Sequence, residues 1–157
     1  MGSYKQQNKT SVLVIAPHPD DEVLGCGGTI ARHVSQGDEV NVLIVTRGIP
    51  ELFPPEEIEG TYFELKEAHS LLGVAKTVFL DFPAPELDTV PRHCVADAIR
   101  NVIFDFGPSV VYFPHYGDLH EDHKIVHYAT LVASRPVNEN PVRRLLCYET
   151  LSESDWG

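Results

Sequence analysis

The stretch HPDDE, His18 to Glu22, sets one imidazole and three carboxylates almost side by side. A second concentration of the same groups lies in PHYGDLHEDHKIVHYA, residues 114–129, with His115, Asp118, His120, Glu121, Asp122, His123 and His127. Crowded carboxylates repel one another. A bound dication relieves that repulsion and takes neutral imidazoles as further ligands. The competing account is a helix start, where the positive end of the helix dipole favours acids and Asp20 or Asp21 caps the first turn. It covers one or two acids and leaves His18 unexplained. In the second cluster Glu121 reads as a solvated helix start, and His115 and His127 as hydrogen-bonded core or rim histidines. His120, Asp122 and His123 together read as functional. His123 and His127 have a helix-face spacing, but no glutamate lies between them as in an HExxH site.

Each cluster follows a β-branched apolar run, and such runs alternate with segments of helical period. SVLVIA (11–16), EVNVLIVT (39–46), KTVFL (76–80), SVVYF (109–113) and RRLLCYE (143–149) read as strands. Helices are predicted over 23–37, 54–73, 88–107 and 121–134, the first two ended by Gly37 and Gly73. This alternation predicts an α/β fold, a Rossmann-like three-layer sandwich with a mainly parallel sheet. Ligands of such sheets sit beyond the carboxyl ends of the strands, where both clusters fall if the first and fourth strands are neighbours. The Pro-rich loops GIPELFPPEE (48–57) and DFPAPELDTVP (81–91) are candidate pocket walls. GCGG (25–28) lacks the spacing of a phosphate loop and reads as close packing.

The chain has 157 residues, 43% hydrophobic, and a formal net charge of −11. That length suits one domain, and that charge argues against nucleic acid and anionic membrane as partners. No apolar run approaches the roughly 20 residues of a membrane span. Residues 1–10 read as a polar, disordered N-terminus or tag remnant. Cys26, Cys94 and Cys147 form no CxxC pair; they read as small buried fillers in a reducing, cytoplasmic compartment. Tyr62, Phe63, Phe79, Phe82, Phe104 and Phe106 read as core, while Tyr116 and Trp156 are candidates for substrate contact, Trp156 alternatively for a partner surface.

HPDDE after a first strand, combined with HEDH after a later one, resembles the PIG-L/LmbE family of zinc-dependent N-deacetylases, which act on N-acetylglucosamine-containing substrates and related amides. VLGCGGTIARHVSQGDEVNVLIVTRG, KEAHSLLGV, HKIVHYATLVASRPV and LLCYETLSESDW also resemble family segments, so the similarity covers roughly residues 11 to 156. It implies His18, Asp21 and His123 as metal ligands in an open site with room for water. It implies Asp20 as general base and His120, as imidazolium, as the group that stabilises the oxyanion. Asp122 would hold a histidine, His120 foremost, in its useful tautomer. Attack of a zinc-activated water on the amide carbonyl would then give a free amine and acetate, with Fe2+ or another divalent ion as alternatives to Zn2+. Whether Asp20 or His120 protonates the leaving amine stays open. Glu22 is a candidate for steadying the first loop from behind the ligands. The implied partner is a small amino-sugar substrate; a homo-oligomer is compatible with the sequence.

Two features depart from the family pattern. Many relatives carry an arginine early in the second helix; here none lies between Arg47 and Arg92, which makes Arg47 the candidate to line the pocket. Relatives also usually continue beyond SESDWG, so the expected unit is a single deacetylase domain over 11–157 that lacks the family's C-terminal part. The alternatives are a metal-dependent hydrolase of another bond, such as a phosphoester, and a truncated, non-catalytic Rossmann-like module.

Overall fold

The computed structural model describes residues 9–151. The elements run β1 (Ser11–Ala16), α1 (Asp21–Ser35), β2 (Glu39–Gly48), α2 (Pro55–Leu72), β3 (Lys76–Ala84), a short 3-10 turn (Leu87–Thr89), α3 (Arg92–Phe106), β4 (Val110–Pro114), α4 (Glu121–Ala133) and β5 (Arg144–Tyr148). The five strands form one sheet in the order β3-β2-β1-β4-β5, and every pairing is parallel.

Central strands of a parallel sheet are covered on both faces and read as continuous apolar runs. In β1 the alternation sorts that run between two cores. Leu13 and Ile15 pack with Val95, Ile99 and Ile103 of α3 and Val126 of α4. Val12, Val14 and Ala16 pack on the other side with Cys26 and Ile30 of α1 and Leu65 of α2. The three-layer sandwich therefore follows from the strand period of two set against the helical period. Gly73 and Gly107 end α2 and α3 with left-handed backbone at φ 77° and 59°, which glycine adopts without a Cβ clash.

Three boundary differences bear on the site. α1 begins at Asp21 rather than Val23, so Asp21 and Glu22 lie in its first turn. α3 begins only at Arg92, after the separate 3-10 turn. β3 continues to Ala84 through a register shift opposite Ile44 and Thr46, with Asp81 in left-handed backbone at φ 54°. Prolines normally end strands, but β3 is an edge strand and tolerates the missing N–H of Pro83.

β1 pairs with β2 on one side and β4 on the other. The chain leaves β1 toward β2 and later crosses back to β4, so the loops after β1 and β4 diverge and leave a crevice at the carboxyl end of the sheet. Among the described residues no helix is long and apolar enough to cross a membrane.

Candidate active site

Both histidine–carboxylate clusters meet in that crevice. The loop after β1 is pinned by Pro17, whose carbonyl accepts from the Thr46 backbone N–H at 3.0 Å and from its hydroxyl at 2.7 Å. Behind it, the buried Tyr148 hydroxyl donates to the Ile15 carbonyl at 3.0 Å. Its ring lies against Gly25, where a Cβ would collide with Cδ2 and fall 2.9 Å from Cε2. The close-packing reading of GCGG therefore holds at Gly25; at Gly28 a Cβ would meet nothing within 4 Å.

Three atoms form a near-equilateral triangle. His123 Nε2 lies 3.2 Å from His18 Nδ1 and 3.2 Å from Asp21 Oδ2, and His18 Nδ1 lies 3.4 Å from Asp21 Oδ2. The opposite ring nitrogens are engaged by other carboxylates: His18 Nε2 by Asp122 Oδ2 at 3.1 Å, and His123 Nδ1 by Asp118 Oδ2 at 2.9 Å. A carboxylate accepts, so a neutral ring carries its proton on that outer nitrogen and offers the lone pair of the other nitrogen to the triangle. Two imidazole nitrogens and a carboxylate oxygen thus converge, a donor set open to a cation once the two rings are neutral. His120 brings a ring nitrogen within 4.8 Å of the ligand atoms of His18 and His123.

The electrostatics call for positive charge at this point. Burial alone would depress the His18 imidazole, but hydrogen bonds to Asp122 and Asp21, and their charges, raise it to about 10. Burial likewise opposes Asp21, whose bonds to His123 and His18 hold its carboxyl well below the usual range. His123 is raised as well, the bond to Asp21 outweighing burial.

Asp20 occupies the N-cap position of α1, yet its side chain makes no cap bond to the helix. Helix capping therefore does not explain this acid. It is exposed and, with His18 and His120, borders a cavity of about 460 Å³. Gly48, Phe53 and Glu57 from one Pro-rich loop, and Ala84 and Pro85 from the other, form the far walls. His120 caps α4 by accepting the Asp122 backbone N–H on Nδ1 at 3.2 Å, so a neutral ring carries its proton on Nε2.

Several expectations are redrawn. The Asp122 carboxylate engages His18 and, through Oδ1, the Leu87 N–H at 3.2 Å, so the histidine it orients is His18. Asp118, read only as a member of the cluster, orients His123 and accepts the His120 N–H at 2.9 Å. Glu22 is fully buried against His69 of α2, at 2.9 Å, and ties α1 to α2. Arg47 is absent from the lining of this cavity; it pairs with Glu59 at 2.7 Å beside an adjacent crevice. Tyr116 also lies outside the lining and packs against His115 and His127. His127 is buried, its Nδ1 donating to the Pro114 carbonyl at 2.9 Å, as a core histidine should. Tyr62 lines the cavity, and Phe63 and Phe104 are exposed rather than core. Of the three thiols only Cys26 is buried. Trp156 lies outside the described residues.

Fold and site together define a class: a doubly wound α/β protein with a histidine–carboxylate centre at its topological switch point. The chain belongs to the PIG-L family, described as GlcNAc-PI de-N-acetylase, which it matches over residues 13–134. It is 30% identical over 149 residues to the uncharacterized deacetylase YaiS of Escherichia coli K12, covering 92% of this chain and 76% of that one. It is 32% identical over 143 residues to a Bacillus cereus protein described as a probable N-acetyl-alpha-D-glucosaminyl L-malate deacetylase 2, covering 83% and 64%. The solved N,N'-diacetylchitobiose deacetylase from Pyrococcus horikoshii superposes with a TM-score of 0.72 at 29% identity, covering 82% of this chain and 52% of that one. The chain thus spans between about half and three quarters of the length of these relatives.

Proposed function

We propose that the chain is a metal-dependent N-deacetylase that removes the acetyl group from an N-acetylglucosamine-type sugar or its conjugate. One observation carries the proposal: His18 Nδ1, Asp21 Oδ2 and His123 Nε2 converge at 3.2–3.4 Å while Asp122 and Asp118 engage the outer ring nitrogens. Tetrahedral zinc with ligands at about 2.0–2.1 Å requires ligand–ligand edges of about 3.3–3.4 Å. The donor set therefore fits one divalent ion, Zn2+ or, with the same ligand types, Fe2+. When bound there, the ion supplies a Lewis acid for the amide carbonyl and lowers the pKa of a water to about 7. The described activities of the malate-conjugate and chitobiose deacetylases support the substrate class. Among the described residues one donor set converges, a pattern that favours a one-ion amidase over a two-ion phosphoesterase.

The paired aspartates divide the work. Asp21 is buried in the donor set, whereas Asp20 is exposed at the cavity edge. Asp20 takes the proton of the attacking water. His120 donates its Nε2–H to the oxyanion that forms on the carbonyl carbon. With Nδ1 occupied by the cap bond, it does so as a neutral donor rather than the imidazolium suggested by the sequence. The carbon–nitrogen bond then breaks, the amine leaving with the proton that Asp20 took from the water and the acetyl carbon leaving as acetate. Two cores on one sheet support a single domain over the described residues from 11 to 151, and three unpaired thiols support a reducing, cytoplasmic compartment.

The test pairs elemental analysis with primary-amine release from a panel of N-acetylated sugars. The expected result is one divalent ion per chain and metal-dependent amine release. Tight binding of no divalent ion, with no amine released from any sugar, overturns the proposal.

A further inference from the structure

The cavity beside His18 and His120 has a one-sided charge pattern. Its carboxylates are Asp20 and Glu57, and none of its described lining residues is a lysine or arginine. Glu57 is exposed, and its carboxylate makes no ion pair among the described residues. The nearby cations stand on the other side of Tyr62. Arg47 is held by Glu59 at 2.7 Å, and its guanidinium carbon lies 5.3 Å from the centre of the Tyr62 ring. Lys66 borders the outer crevice that Arg47, Glu59 and Asp81 also line, and is absent from the lining of the cavity beside His18. Phe53, Ile58 and Pro85 contribute apolar surface to the same lining.

We infer that the site accepts amino-sugar conjugates whose attached group is uncharged or cationic and discriminates against those bearing a carboxylate or phosphate. The inference rests on the deacetylase reading and deepens it. An anionic group that reaches the Glu57 wall, away from the donor set, meets that carboxylate with no lysine or arginine among the described lining residues and is disfavoured there. A cationic group meets Glu57 directly. At partly exposed separations of several ångströms, one unit of charge changes affinity by about fivefold.

The experiment compares three matched glycosides of N-acetylglucosamine: methyl, 2-aminoethyl and carboxymethyl. Metal-replete protein should release amine from the carboxymethyl glycoside with kcat/KM about fivefold below the methyl, and from the aminoethyl at or above it. The spread should narrow in Glu57→Gln, invert in Glu57→Arg, and shrink at about 0.5 M salt, as a partly exposed charge effect must. Equal or preferred use of the carboxymethyl glycoside by the wild-type protein, or an order unmoved by Glu57→Arg, overturns the inference. If none of the three releases amine, the deacetylase reading falls instead. The three dissociation constants, measured by ligand-observed NMR on the same protein, then decide the pocket's preference separately: the same order supports it, and an equal or inverted order overturns it.

Discussion

Asp118→Asn removes one charge from the site while preserving the shape of the side chain. Asp118 is 6% exposed, and its two oxygens serve two donors. Oδ1 accepts the His120 N–H and Oδ2 the His123 Nδ1–H, both at 2.9 Å. Asparagine can accept only one of these. If its oxygen stays on His120, its NH2 faces His123 Nδ1, which must become the acceptor. The ring proton then moves to Nε2, into the donor triangle, and the ligand lone pair is lost. If the amide flips, its NH2 confronts the His120 N–H, and a buried donor left unpaired costs about 1–3 kcal/mol. Either outcome should weaken metal binding about 10–100-fold, or roughly 1.4–2.7 kcal/mol. Competitive titration against a chromogenic chelator reads this directly. Glu121→Gln is the control, since it removes an acid from the same stretch that pairs only with Lys124, at 3.1 Å, and its metal affinity should not change. A folded Asp118→Asn protein that binds metal within about threefold of wild type refutes the lone-pair argument.

Asp122→Asn should behave like Asp118→Asn, because its oxygens are likewise divided between a ring N–H, that of His18, and the backbone N–H of Leu87; unchanged metal affinity would count against both. Asp20→Asn should lower kcat/KM for amine release by about 10²–10⁴-fold with metal content intact, and loss of the metal in this variant would place Asp20 among the ligands instead. In metal-free protein His18 is raised from 6.5 to about 10. A raised pKa contributes stability that is complete below the unfolded value and is lost as pH rises through the folded one. The metal-free Tm should therefore fall between pH 6.5 and about 10, and a flat calorimetric profile over that window contradicts the cluster's electrostatics. Gly25→Ala should lower Tm by roughly 2–6 °C, because the new Cβ presses on the Tyr148 ring by more than helix propensity returns; an unchanged or raised Tm shows that the ring can move.

The frame of the site was legible because it depends on period and order. Apolar strands separated by helical segments imply parallel neighbours, and β1 beside β4 brings positions 18–22 and 118–123 to one crevice. The Pro-rich loops were legible as walls, and Phe53, Glu57 and Pro85 do line the cavity. What sequence adjacency obscured was direction. Asp122 lies two residues from His120, which made that ring the natural partner on paper. In the first turn of α4, however, its carboxylate reaches across the crevice to His18 and the chain after β3. Asp118 shows the converse: it lies outside the helix, and the tight turn in which it accepts the His120 N–H aims its other oxygen at His123. Arg47 lines the adjoining crevices rather than the cavity beside His18 for a similar reason. The shift in β2–β3 register falls between Ile44 and Thr46, just before Arg47, and the guanidinium ends on Glu59 and Tyr62 beyond the cavity wall. Ligand types can be read from composition and spacing, but which nitrogen carries each proton is set by carboxylates whose aim exists only after folding. The decision between a proton-filled and a cation-accepting triangle lies in those outer bonds.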